Sequence, residues 1–301
     1  FPLTEQGHPG RALGAAFTSS CLGGLTGTVI LALSIPVFRP IVMAFGSPES
    51  LMLVLMGISS VAVLGVSSPL KGLIAAGLGF IVSFIGYQAV SGFARYTFDF
   101  PYLFDGIDVV TVALGLFAMP EVIDLITTGE SIAKVRVSTP TTTDLWEGIK
   151  DVFRHWGLFI RSSIIGLIIG IAPGVGATAA AWMAYAQARQ TSKHPEKFGT
   201  GCIEGVIAPE ASHGADHGGG MIPTLAFGVP GSGSMAILLG ILVILGIQPG
   251  PFLIRDHADL VFSMVAIMII AYIVGAGILI AGSAQLAKVA FISGHIMGPA
   301  I

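Results

Sequence analysis

Six windows of the chain, each at least 21 residues long, contain no Asp, Glu, Lys or Arg: 12–38, 50–70, 72–94, 162–188, 217–254 and 260–287. About 20 apolar residues are enough for a helix to cross the hydrocarbon of a bilayer. Of 301 residues, 53% are hydrophobic and 10% charged, with a mean hydropathy of +0.87. Soluble domains carry about 25% charged residues, so the expectation is an all-α polytopic membrane protein embedded in a lipid bilayer. The net charge of −3 is mild and gives no sign of a nucleic-acid partner. Cys21 and Cys202 form no framework and read as small buried hydrophobes.

A weaker span over 106–126 is interrupted by Glu121 and Asp124, and another starts at Val289. The chain opens at Phe1 without Met and stops at Ile301 inside an apolar run, which reads as a fragment of a longer protein. If the segments before 126 alternate, Arg11, Lys71, Lys134, Arg136, Lys150, Arg154 and Arg161 share one side, and Arg39 and Arg95 the other. The richer side is cytoplasmic by the positive-inside rule. The organisation expected is four transmembrane helices over 1–126, a cytoplasmic loop over 127–161, a site-bearing region over 162–254, and further helices over 255–301. In the loop, Asp144 followed by Glu147 resembles a capping box, and Leu145, Ile149, Val152, Phe153 and Trp156 recur at helical spacing. Trp146, Trp156, Lys150 and Arg154 suit a helix at the inner interface, or one packed on the protein surface.

The window 162–188 is interrupted by Pro173, Gly174 and Gly176. Pro removes a backbone donor and Gly permits turns, so one straight helix is disfavoured. Arg189, Lys193 and Lys197 follow it, and positive-inside reasoning returns the chain to the cytoplasm. The expectation is a re-entrant helical hairpin with its tip at 173–176; a Pro-kinked span is the alternative. Such a tip must be buried in protein or face a wet cavity. Gly166, Gly170 and Gly174, four apart, give one arm a smooth packing face.

GVIAPEASHGADHGGGMIPTLAFGVPGSGS, residues 205–234, repeats the pattern, with Pro209, Pro223 and Pro230 expected to break helices and its glycines to loosen the backbone. Two interrupted elements in one membrane chain point to a transporter site, where helix N-termini face an anion. Intramembrane ionisable groups are functional suspects, which makes Glu210, His213, Asp216 and His217 candidates for ion or proton coupling. The plainer alternative is that the acids cap helix ends. His213 and His217 would share a face if helical, but a zinc site wants three or four ligands, and none is assigned. Ser232 or Ser234 with His295 raises an intramembrane serine hydrolase, yet the spacing is not G-x-S-x-G and no orienting acid is evident. A non-transporting scaffold whose glycines only pack helices is a third alternative.

The run APEAS…GGGMIPTLAFGVPGSGSMAILLG…GIQPGPFL resembles the signature of the TctA family, the large membrane subunit of tripartite tricarboxylate transporters. IGIAPGVGA, FGTGCIEGV, GRALGAAF, RYTFD and YLFDGIDVVTVALGLFAMPEV are similar to it as well. The resemblance implies one half of an internally repeated transporter fold. It implies import of small di- or tricarboxylates, citrate-like, across the bacterial inner membrane. Partners would be a small membrane subunit and a periplasmic substrate-binding protein, with no cofactor and Na+ or H+ as the coupling ion. In keeping with this, no G-x-x-x-x-G-K-[ST] nucleotide loop occurs. Where members commonly show Asn-Asn after APEA and one further small residue, this chain has His213 and Gly214. The windows 162–188 and 217–254 hold no Lys or Arg, so a carboxylate would be held by backbone N–H groups and hydroxyls. The substrate-site residues expected are Pro173, Gly174, Gly176, Thr178, Thr224, Pro230, Gly231, Ser232 and Ser234.

Overall fold

The computed structural model describes residues 2–43, 69–87, 93–104, 141–172 and 176–283, with a few isolated positions between 48 and 123 and at 285. The expected spans over 50–70 and 106–126, the loop before 141, the tip residues Pro173 and Gly174, and the tail with His295 lie almost entirely outside the described residues. The helices are α1 (Pro2–Glu5), α2 (Pro9–Met43), α3 (Pro69–Val82), α4 (Thr142–Arg154), α5 (Trp156–Ile171), α6 (Gly176–Thr191), α7 (Glu204–Phe227), α8 (Gly233–Ile244), α9 (Pro251–Asp256) and α10 (Ala258–Ala281). Two segments, Pro9–Val37 within α2 and the whole of α10, are individually long and apolar enough to cross a membrane. Helices α4 and α5 pass the same test as a pair, bent by 76°. This is the architecture of an all-α polytopic membrane protein.

One expected span is shorter than its apolar window. Over 72–94 the helix ends at Val82, and Gly86–Tyr87 pairs antiparallel with Ala94–Arg95 as a two-residue ribbon. Gly86, at φ +120, adopts a backbone conformation that a helix cannot continue through.

Helix α7 is the axis of the bundle. On one side α2 runs parallel to it: a Cβ on Gly23 or Gly27 would run into the carbonyl of Ala211 or Ala215, and one on Gly214 or Gly218 into the backbone of Ser20 or Gly27. On another side α5 is likewise parallel, Gly166 lying against the Ser212 carbonyl and Gly170 against that of Asp216. Without side chains at these crossings the helices meet backbone to backbone, the close approach that small residues allow between membrane helices. Here lies the physical reason for two corrections. The stretch around His213 and Asp216 was expected to unwind, and Pro209 and Pro223 to break helices; instead α7 is continuous from Glu204 to Phe227. An interior Pro costs roughly 3 kcal/mol, and contact along two flanking helices offsets it. Its glycines fit α7 between its neighbours.

Both ends of the bundle are sealed by apolar clusters. At one end Ala15 of α2, Val152 of α4, Phe159 of α5, Ala188 of α6 and Ile207 of α7 meet. At the other, Leu31, Leu225, Leu242, Leu253 and Val261 join α2, α7, α8, α9 and α10. The start of α5 and the end of α6 therefore share one end of the molecule, and the two helices pack antiparallel. Helix α4 lies across the start of α2 on Leu145 and Val152, with Gly148 against the Arg11 backbone. Its cap is Thr141, whose hydroxyl accepts from the Asp144 N–H, one turn earlier than the expected Asp144–Glu147 box. Trp146 and Phe153 stay exposed while the other face of α4 packs on protein.

Candidate functional site

The second interruption of the chain meets the helix that leads into the first. The first follows α5, which ends at Ile171; Ala172 turns extended and α6 begins at Gly176, at φ +74. The second is the stretch Gly228–Ser232 between α7 and α8. A methyl group on Gly231 would stand 3.1 Å from the Gly170 carbonyl oxygen and 3.6 Å from Gly220 Cα. Gly231 thus rests on the last turn of α5 and on α7 at once.

The second break is built by its own sequence. Gly228, at φ +70, closes α7 in the left-handed conformation that a glycine adopts without penalty, and its N–H reaches the Thr224 carbonyl at 3.0 Å. The buried Thr224 hydroxyl donates to the Gly220 carbonyl at 2.6 Å and reaches the Val229 carbonyl at 3.5 Å. Ser232 then caps α8, its Oγ accepting from the Met235 N–H and lying 3.0 Å from Ser234 Oγ. The first turn of α8 presents free backbone N–H groups, and its dipole adds partial positive charge, a setting that favours an anion. Thr178, in the first turn of α6, is exposed.

The polar residues of α7 occupy its remaining face and edge. His213 is exposed, and its ring meets that of His217 one turn on, with centroids 5.2 Å apart in T-shaped geometry. Asp216 turns toward α5 and is 5% exposed, and its Oδ1 has no hydrogen-bond partner among the described residues. Ser162, Ser163 and Ser212, buried with it between α5 and α7, carry hydroxyls in the same condition. No group of three or more His, Cys, Asp or Glu able to hold a metal occurs among the described residues. Glu210 points elsewhere: with Ser20, Cys21 and Tyr272 it lines a cavity of about 400 Å³ between α2, α7 and α10.

The expected substrate-site residues therefore divide. Thr224, Gly231, Ser232 and Ser234 belong to the second break, with Pro230 between them, while Gly176 and Thr178 open α6 beyond the first. Gly170 and Gly220, on which the second break rests, are not among the expected site residues, although the four-residue spacing of Gly166 and Gly170 marks a packing face. No signal in the sequence paired Glu210 with Tyr272, which lies 62 positions away.

A family model described as the tripartite tricarboxylate transporter TctA family matches residues 1–301. The chain is 32% identical over 268 residues to an uncharacterized 52.8 kDa protein in the TAR-I ttuC' 3'region of Agrobacterium vitis, covering 89% of this chain and 53% of that protein. It is 36% identical over 103 residues to an uncharacterized protein in the TAR-II ttuC' 3'region of the same organism, covering 34% and 43% respectively. The chain thus spans about half the length, or less, of the curated relatives it matches. No solved structure matches it.

Proposed function

Because this chain belongs to the tripartite tricarboxylate transporter TctA family, we propose that it forms part of the transmembrane pathway by which a secondary transporter imports small di- or tricarboxylates of the citrate type. The observation that carries this reading is the contact of the second break with the last turn of α5, Gly231 against the Gly170 carbonyl, in windows free of Lys and Arg. A carboxylate there would be held by the backbone N–H groups that start α8 and α6 and by the hydroxyls of Ser232, Ser234 and Thr178. Each helix-terminus contact is worth about 0.3–1 kcal/mol exposed and up to ~2 partly buried. Weak multiple contacts suit a protein that must release what it binds.

Coupling to a Na+ or H+ gradient is the second part of the proposal. Asp216 supports it, since a buried carboxylate oxygen without a protein partner is costly unless something else neutralises it. His213 and His217 stand beside it on α7, and Glu210 lies at the edge of the same helix. The proposed partners are a small membrane subunit and a periplasmic binding protein, and the proposed location is the bacterial inner membrane. The test is uptake of labelled citrate into vesicles holding the transporter with both partners. Uptake should follow an imposed Na+ or H+ gradient without ATP; uptake that needs ATP and ignores both gradients would overturn the reading. For the hydrolase alternative, the Ser232 hydroxyl is occupied as a helix cap, and among the described residues no hydrogen bond links Ser232 or Ser234 to a histidine or carboxylate.

A further inference from the structure

We infer that the cavity between α2, α7 and α10 is a binding site for a primary ammonium group, anchored by Glu210. This inference does not rest on the transport reading, because the cavity is separate from the two breaks. Its volume of about 400 Å³ lies in the range of small-molecule sites. Its walls are mostly apolar and aromatic, contributed by Phe17 and Leu279 among others. Its polar groups are few: the Glu210 carboxyl, the Ser20 hydroxyl, the Cys21 thiol and the Tyr272 phenol. Tyr272 leans on α7 with its Oη 3.5 Å from the Gly214 carbonyl, and Cys21 donates to the Tyr272 carbonyl at 3.4 Å.

Among the described residues, Glu210 makes neither a hydrogen bond nor an ion pair, and no Lys or Arg lines the cavity. It stands between two helices long and apolar enough to cross a membrane. A carboxylate in such surroundings calls for a cation, and the lining chooses the kind. A bare alkali ion needs a full shell of oxygen donors, which one carboxylate and two hydroxyls do not supply, and the apolar walls hold hydration water poorly. An ammonium group on an alkyl stem fits better. Its three N–H donors match the carboxylate, Ser20 and Tyr272, its stem covers the apolar wall, and the rings of Phe17 and Tyr272 favour a cation. His213, one turn along α7, is the neighbouring titratable group that bears on Glu210. The same ammonium chemistry is offered by a free alkylamine and by a phosphatidylethanolamine headgroup.

Cys21 provides the readout, because its thiol lines the cavity. The protein with Cys21 as its only thiol is purified, placed in phosphatidylcholine nanodiscs and alkylated with N-ethylmaleimide. n-Hexylammonium is expected to reach half-maximal protection at about tenfold lower concentration than its neutral isostere, the scale of one charge-assisted hydrogen bond, and the two are compared at that lower concentration. The neutral isostere n-hexanol should slow alkylation much less, and Glu210→Gln should make amine and alcohol equal. Ala276→Phe, which fills the cavity without touching the carboxylate, should by itself protect Cys21 and erase the amine effect. Slower alkylation in phosphatidylethanolamine than in phosphatidylcholine nanodiscs, dependent on Glu210, would identify the headgroup as the source. Equal rates in the two lipids, with protection by hexylammonium retained, would identify a free amine. Equal protection by amine and alcohol in the parent, equal protection by NaCl or KCl at matched concentration, or no protection at all would each overturn the assignment.

Discussion

At the residue scale, the glycines and histidines of α7 have opposite fates. Gly218 faces the Gly27 backbone so closely that any Cβ there must push α2 away. Overpacking of this kind costs about 1–3 kcal/mol. Gly218→Ala is therefore expected to lower the midpoint of thermal unfolding in detergent by several degrees, whereas Gly275→Ala, with no atom within 4 Å of the new Cβ, should leave it unchanged or raise it slightly, alanine being the better helix former. Equal midpoints for the two variants would show that α2 and α7 are not held by backbone contact. His213, by contrast, is exposed beside Asp216, His217 and Glu210 on a helix otherwise wedged between neighbours. Measured against pH, uptake by the complete transporter should differ between the parent and His213→Asn, since an imidazole can take up a proton and an amide cannot. His213→Asn should flatten the profile. Identical profiles for parent and variant would make His213 structural.

At the element scale, α5 and α6 form an antiparallel pair whose outer ends meet in one apolar cluster with the starts of α2 and α7. Placed in a bilayer, that arrangement enters and leaves on the same side. Cysteines introduced at positions 161 and 190 are accordingly expected to react with a membrane-impermeant maleimide from the cytoplasmic face, both before permeabilisation of inverted vesicles. Reaction of the two from opposite faces would replace the hairpin by a kinked span. Helix α4 fixes this end of the bundle. Arg11 of α2 pairs with Asp151 at 2.5 Å, and Arg154 joins from the same helix at 3.1 Å, around a carboxylate whose side chain is 2% exposed. Removing either guanidinium partner would leave that buried carboxylate less well paired, the change that destabilises a buried ion pair.

At the scale of the whole molecule, the break after α7 returns to the end of α5, about 60 residues earlier in the chain, and Gly231 is the point of contact. Gly231→Val should reduce citrate uptake at least tenfold while protein remains in the membrane, because the added side chain separates the α8 start from the end of α5. Undiminished uptake would show that the contact is only packing. The sequence by itself determined the membrane setting, the helical class, the family signature and the positions of both interruptions. These depend on local properties: runs without charge, proline without a donor, glycine free at positive φ. It misjudged α7, where local rules predicted unwinding at Pro209, Pro223 and the glycines around His213, and it extended the helix of 72–94 too far. Tertiary structure decided those matters, along with the meeting of Gly170 with Gly231 and of Glu210 with Tyr272. A glycine carries the same sequence letter whether it loosens a turn or admits a neighbouring backbone, and only the helix packed against it settles which.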